Sequence, residues 1–176
     1  MMLPREPVDE EGARHLVQGL AIPDVPLPST TGGTVNLGAQ SGMAVVYFYP
    51  WTGRPGVADP PCWDDIPGAH GSTPQAEGFR DRYLAFREKE VAVFGVSTQG
   101  SEHQCELAER LNIPFEILSD EAFQLQQALN LPTFETGGVA YLRRLTLIVR
   151  DGRIGHVYYP VLTPADHAIE VLGWFT

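Results

Sequence analysis

The sequence predicts an α/β domain on a mixed central sheet, and three observations carry that prediction. Met43 to Tyr49 (MAVVYFY) and Val91 to Ser97 (VAVFGVS) are continuous apolar, β-branched runs that read as strands buried on both faces. Between them Phe79, Tyr83 and Phe86 fall at i, i+4 and i+7, with Arg80, Asp81, Arg82 and Arg87 off the stripe. That spacing predicts an amphipathic helix over residues 74 to 89, and hence a βαβ crossover. Asp151-Gly152 lies between two further strand-like runs and predicts an antiparallel hairpin.

The other elements follow in chain order. Gly12 to Leu20 suits a short helix, after which Pro23, Pro26 and Pro28 force an extended path. Thr31-Gly32-Gly33-Thr34 reads as a turn and Thr34 to Leu37 as a short strand. After the second apolar run, Ser101 is placed to cap a helix with the stripe Leu107, Ala108 and Leu111, ending before Pro114. Phe115 to Leu118 is a short strand, and Phe123 to Leu129 a short helix stopped by Pro132. Arg144 to Val149 and Ile154 to Tyr159 are the hairpin strands. Thr163 is placed to cap a last helix with Pro164 in its first turn, Asp166 three residues after the cap, and Ala168, Ile169 and Leu172 facing inward. A parallel βαβ half extended by an antiparallel hairpin and a terminal helix is the thioredoxin-like arrangement. Residues 1–28 are expected as an N-terminal extension and 29–176 as the domain. A doubly wound sheet is disfavoured, because Asp151-Gly152 makes the last two strands antiparallel.

Composition bounds the function. With 176 residues, 43% apolar and 19% charged, the chain is globular and long enough for one domain. The formal net charge of -10 disfavours phosphate backbones and anionic lipid, so neither nucleic acid nor membrane is expected as a partner. Met1 to Glu11 is acidic and proline-interrupted, unlike a secretory signal. Two cysteines, Cys62 and Cys105, are too few for a disulfide framework. The expected compartment is therefore the cytoplasm. The five histidines (His15, His70, His103, His156, His167) show no metal-ligand spacing, so no metal and no cofactor are expected.

The segment Pro50 to Thr73 carries five prolines, four glycines and two tryptophans. So long a structureless stretch, at the C-terminal end of a parallel strand, is where a site belongs. Trp51, Trp63 and Tyr49 read as packing residues of this loop rather than as a substrate platform.

The loop ends in Gly71-Ser72-Thr73-Pro74-Gln75-Ala76-Glu77-Gly78-Phe79-Arg80-Asp81. With Tyr49-Pro50 before it, this resembles the peroxiredoxins, in particular their bacterioferritin comigratory (Q-type) branch. Gly95-Val96-Ser97, Pro114-Phe115, Leu118-Ser119-Asp120 and Arg144-Leu145-Thr146 before Asp151-Gly152 fall in the expected order. The resemblance covers roughly residues 25 to 175. It implies a thiol peroxidase for hydrogen peroxide or alkyl hydroperoxides, working through a cysteine sulfenic acid. It further implies a thioredoxin-like or other thiol reductant, and a monomer or homodimer. Position 72 is then the peroxidatic position, assisted by Thr73 and Arg144, with Pro50, His70, Gly71 and Gln75 around the substrate. Cys105 is the first candidate for a resolving cysteine and Cys62 the second.

The sequence departs from that pattern in three places. Ser72 stands where the nucleophilic cysteine belongs. The loop before it is much longer, with Ala69 where a threonine is usual. Glu77 occupies a position where many members carry a resolving cysteine. A serine hydroxyl is too weak an acid to ionise here and has no sulfenate-type oxidation state. Ser72 therefore has three readings: a deliberate Cys→Ser change that holds the site in a reduced-like state, a natural loss that leaves a binding or sensor module, or a hydrolase nucleophile with His70 as its base. The first is favoured because the surrounding residues are intact. The third lacks a Gly-x-Ser-x-Gly elbow and an acid clearly placed behind His70.

Overall fold

The computed structural model describes residues 10–176. Pro26–Pro28 (β1) and Thr34–Asn36 (β2) pair antiparallel around Gly32 and Gly33, which take positive φ. Met43–Phe48 (β3) then enters the centre of the molecule. The long loop follows, and after it Ser72–Asp81 (α1), Tyr83–Glu88 (α2), Val91–Ser97 (β4) and Ser101–Leu111 (α3). Glu116–Ser119 (β5), Gln124–Leu129 (α4) and the hairpin Thr133–Thr136 (β6) with Val139–Leu142 (β7) come next. Leu145–Arg150 (β8), Arg153–Tyr158 (β9) and His167–Trp174 (α5) complete the chain.

The main sheet has the order β5-β4-β3-β8-β9. The pairs β3–β4 and β4–β5 are parallel, while β3–β8 and β8–β9 are antiparallel. This is the mixed thioredoxin-like sheet expected. Asp151 and Gly152 both take positive φ, 49° and 73°, as a two-residue hairpin turn requires.

Strand alternation divides the core into two layers. Ala44, Val46 and Phe48 pack with Phe94, Val96, Leu145, Leu147 and Val149 on one face. Val45, Tyr47 and Tyr49 pack with Phe79, Phe86, Val93 and Leu107 on the other. Burying each such side chain contributes about 1.5–3 kcal/mol. Helices α1 and α5 cover the second layer. Leu145 and Leu147 of β8 face the first layer, whereas Arg144, just before the strand, reaches Ser72 of α1 and Thr146 meets His167 of α5.

Several expectations are corrected. The helix expected over 74–89 is two helices, α1 and α2, and it starts at Ser72 rather than 74. At Arg82 (φ -109°, ψ 7°) the amide turns back to the Arg80 carbonyl and interrupts the ladder. Gly12 to Leu20 is a run of turns, closed by short bonds such as Leu16 N–H to Ala13 O at 3.0 Å, not a helix. A segment so short, bounded by Gly12 and Gly19, has too few bonds to offset helix nucleation. Gly100, not Ser101, occupies the cap of α3. In its expected stripe Leu107 is buried, and Ala108 and Leu111 are half-buried. Thr163 makes no side-chain capping bond, and a short 3-10 turn (Pro164–Asp166) precedes α5. The inward face of α5 is His167, Ala168 and Val171, while Ile169 is 50% exposed. The β6–β7 hairpin was not anticipated, although Gly137-Gly138, both at positive φ, is its signal.

Residues 1–9 of the expected extension lie outside the described residues. Ala13, Leu16, Ile22 and Leu27 are buried in the first core layer, so the core continues across residue 28. Among the described residues no helix is long and apolar enough to cross a membrane.

Gly95 pairs across the sheet with Tyr47, and a Cβ there would lie 2.8 Å from the Tyr47 ring and hydroxyl. That ring cannot retreat, because it is stacked on Phe79 at 4.6 Å. Gly95→Ala is expected to lower stability by about 1–3 kcal/mol through overpacking, read as a reduced urea midpoint at unchanged slope.

Candidate active site

Tyr49 and Pro50, both buried, carry the chain from β3 into the loop. Two sets of contacts hold that loop. On the α3 side, the Gln99 amide accepts from the Thr52 N–H and hydroxyl at 3.1 Å and donates to the Thr52 carbonyl. His103 reaches the same carbonyl at 2.8 Å, and Arg110 donates to the Gly53 carbonyl at 2.9 Å. On the other side Trp63 packs on Phe134 and Tyr141 of the β6–β7 hairpin, and Trp51 packs edge-on against Trp63. The loop is thus built into the molecule. Both tryptophans pack as expected, and both also line the cleft described below.

Gly71 ends the loop in a left-handed conformation, φ 104°. Only glycine fits, because a Cβ would lie 2.3 Å from Pro164 Cγ. Its carbonyl accepts the Gln75 N–H at 2.9 Å and starts α1. Pro74 is tolerated in this first turn, where its missing N–H has no intrahelical partner. Ser72 is therefore the first residue of α1 and is 5% exposed.

Arg144 is 3% exposed and reaches this point from the end of β8. Its Nη2 donates to Ser72 Oγ at 3.0 Å and to the carbonyls of Gly68, Ala69 and His70 at 3.1–3.2 Å. Its Nε also donates to Gly68 O, and its Nη1 donates to Gln75 Oε1 at 2.5 Å. Every one of these acceptors is neutral. Burial lowers the guanidinium pKa to about 10, which leaves it charged at neutral pH. Arg143, its neighbour in the β7–β8 connection, lies over the Phe134 ring at 5.5 Å.

Ser72 opens on a cleft of about 310 Å³. Thr73, His70 and Gly71 line it. Gln75 and Pro50 do not: Gln75 is fully buried behind Ser72, holding Arg144, and Pro50 is buried at the strand end. Arg54, Asp59 and Arg110 line the cleft and were missed. The Glu106–Arg110 pair is legible at i,i+4, but the loop it faces is not. His70 pairs with Asp64, yet it makes no hydrogen bond to Ser72. The Ser72 hydroxyl accepts from a cation instead of donating to a base.

Neither cysteine lines the cleft. Cys105 is a half-buried free thiol whose Sγ contacts the Thr30 carbonyl at 3.7 Å, among Ala108, Pro114 and Phe115. His103 and Arg110 of the same helix turn to the loop instead. Cys62 is an exposed free thiol at the start of the turn Trp63–Asp65. Among the described residues no cluster suited to a metal ion occurs.

The AhpC/TSA family profile matches residues 66–157. Peroxiredoxin Bcp of Bacillus subtilis is 30% identical over 159 residues, covering 88% of this chain and 91% of its own length. Peroxiredoxin Bcp of Escherichia coli K12 is 30% identical over 164 residues, covering 90% and 95%. The chain belongs to the AhpC/TSA family. Within that family it also matches the chloroplastic peroxiredoxin Q of Oryza sativa subsp. japonica at 28% identity, spanning 64% of that protein's length. Two solved structures share the fold. A cysteine-to-serine variant of Xylella fastidiosa PrxQ superposes with a TM-score of 0.74 at 22% identity, covering 91% of this chain and 95% of its own. Peroxidoxin BcpB of Mycobacterium tuberculosis gives 0.72 at 23%, covering 92% and 97%.

Below Arg144, His167 is 1% exposed, bonds Thr146 Oγ1 at 2.8 Å and lies edge-on to Phe79 and Tyr158. Burial holds its imidazole below the ordinary value of 6.5, partly opposed by Glu170. The unfolded chain then takes up the proton before the folded one, so stability is complete above about pH 6.5 and falls as the pH drops below it. Urea midpoints are expected to decline between pH 7.5 and pH 5. His167→Gln, which keeps a bond to Thr146, is expected to flatten that decline. An unchanged pH slope would count against His167 as its source.

Proposed function

We propose that this chain carries the site of a thiol-dependent peroxidase acting on hydrogen peroxide or alkyl hydroperoxides, with position 72 as the peroxidatic position, and that with Ser72 it is inactive. One observation carries the reading. A buried guanidinium, charged at neutral pH, sits 3.0 Å from the side-chain oxygen at the start of α1, with neutral groups as its other ligands. A thiolate at 72 would supply the missing negative charge. The cation and the helix N-terminus would both lower the thiol's pKa.

The chemistry balances as follows. The thiolate attacks one peroxide oxygen, an S–O bond forms and the O–O bond breaks. The alkoxide or hydroxide leaves and takes a proton, and the sulfur becomes a sulfenic acid. Thr73 and the amides of the first turn are placed to hold the peroxide oxygens, and Arg144 to stabilise the charge moving onto the leaving oxygen. A second thiol then condenses with the sulfenic acid, releasing water and forming a disulfide that a thioredoxin-like reductant opens. Cys105 remains the first candidate for that thiol and Cys62 the second. Because the Cys105 thiol lies against Thr30, α3 must shift or the first turn of α1 must unwind. An external thiol needs neither movement. The acidic chain and its bacterial relatives support a cytoplasmic setting.

A second reading is a redox-fold binding or sensor module that naturally lacks the nucleophile. Ser72 is the observation behind it, since a serine cannot cycle through a sulfenic acid. The codon at position 72 in the source gene separates the two.

The test is hydrogen peroxide consumption with a dithiol reductant. The chain with Ser72 is expected to show background rates, and Ser72→Cys at least about a hundredfold more, since the change puts a thiol in the cleft beside Arg144. No gain in a folded Ser72→Cys protein would sink the peroxidase reading.

A further inference from the structure

The cleft is far larger than hydrogen peroxide requires. It measures about 310 Å³, whereas one water takes about 30 Å³ of liquid and a two-oxygen peroxide roughly twice that. The lining comes mostly from the inserted loop, where Trp51 and Pro55 offer apolar surface and Arg54 offers charge, joined by Arg110 of α3.

Those two arginines share one carboxylate. Arg110 Nε donates to Glu106 Oε1 at 2.7 Å, and Arg54 Nε lies 3.4 Å from Glu106 Oε2. Arg110 Nη2 also donates to the Gly53 carbonyl, which fixes the guanidinium plane. A guanidinium has five donors in a planar fork, and these bonds use two of them on Arg110. Glu106, behind the lining, and the exposed Asp59 on it balance the two arginines in charge, so what this wall offers a ligand is guanidinium donors still unused in the fork. In a protein of net charge -10, which repels anions at long range, such a concentration of arginine must act locally.

From this arrangement we infer that the far wall is a subsite for a carboxylate, and that the cleft takes an apolar organic acid. With a cysteine at 72, the matching substrate is a hydroperoxide that bears a carboxylate. The binding half stands on the cleft alone. The substrate half rests on the peroxidase reading.

With Ser72 the chain is expected not to turn over a hydroperoxide, so it serves for the binding measurement. Benzoate and its neutral counterpart benzyl alcohol are titrated against it and followed by tryptophan fluorescence, because Trp51 and Trp63 line the cleft. Benzoate is expected to bind at least roughly tenfold more tightly. Arg54→Gln and Arg110→Gln should each bring the ratio towards one, and Asp59→Asn should raise it. Arg110→Gln also removes the bond to Gly53, so Arg54→Gln serves as the control for a disturbed loop. Opposite signs for the arginine and aspartate changes are not what loop damage produces. Equal binding of the two probes, or a benzoate preference that survives both arginine changes in folded proteins, overturns the inference.

In Ser72→Cys, the hydroperoxide of an aromatic carboxylic acid is compared with cumene hydroperoxide. A kcat/KM ratio of about ten or more in favour of the acid is expected, reduced by Arg54→Gln. Benzoate preference without turnover of any hydroperoxide would remove the peroxidase reading and leave the subsite standing. Turnover without preference for the acid would remove the subsite and leave the peroxidase.

Discussion

The buried Arg144 guanidinium organises this molecule. Withdrawing such an ion from water costs several kcal/mol even after relaxation, so it is stable only where nearly all its donors are met. Three consecutive carbonyls, Gly68 to His70, together with Ser72 Oγ and Gln75 Oε1, meet them. Bonds to a charged donor contribute about 1.5–3 kcal/mol each, so the set is strong enough to hold the end of the loop and the start of α1 against β8. Gly71 turns the chain between these two sets of ligands, and Pro164 packs against it from the other side. Loop end, helix start and strand end are therefore one unit, and the cleft takes its shape from that unit.

The long loop extends the same logic outward. Its polar backbone is satisfied by Gln99, His103 and Arg110 on the α3 side, and its aromatic residues by the β6–β7 hairpin. A loop without such partners would leave buried polar groups unmet. The partners that hold it also charge it, since Arg110 and Arg54 converge on Glu106 at the rim. Burial of the loop and the electrostatics of the cleft thus have a common cause.

Much of the frame follows from local chemistry. The apolar runs of β3 and β4, the Asp151-Gly152 turn, the position of α3 and the mixed sheet are written in hydrophobic period and turn residues, which act over a few neighbours. Position 72 at a helix start, and Arg144 rather than Arg143 facing it, follow from a motif. The same local signals gave way where packing decided. Ile169 lies outside and Val171 inside because α5 is rotated to set His167 on Thr146. The 74–89 stripe is continuous, yet the helix breaks at Arg82. Gly12 to Leu20 forms turns because Ala13 and Leu16 reach the core that way.

What the order of residues determined is the sheet, its connections and the place where chemistry would occur. What the tertiary structure decided is who stands there together. Gln75 holds Arg144 instead of facing the cleft, Cys105 lies against Thr30, His70 takes Asp64 and leaves Ser72, and Arg54 meets Arg110 through Glu106. Each of those last contacts but the Glu106–Arg110 pair joins residues outside the reach of a helical or strand period. The path of the loop sets the distances within it, and the interior that solvates a buried cation sets where that loop must end.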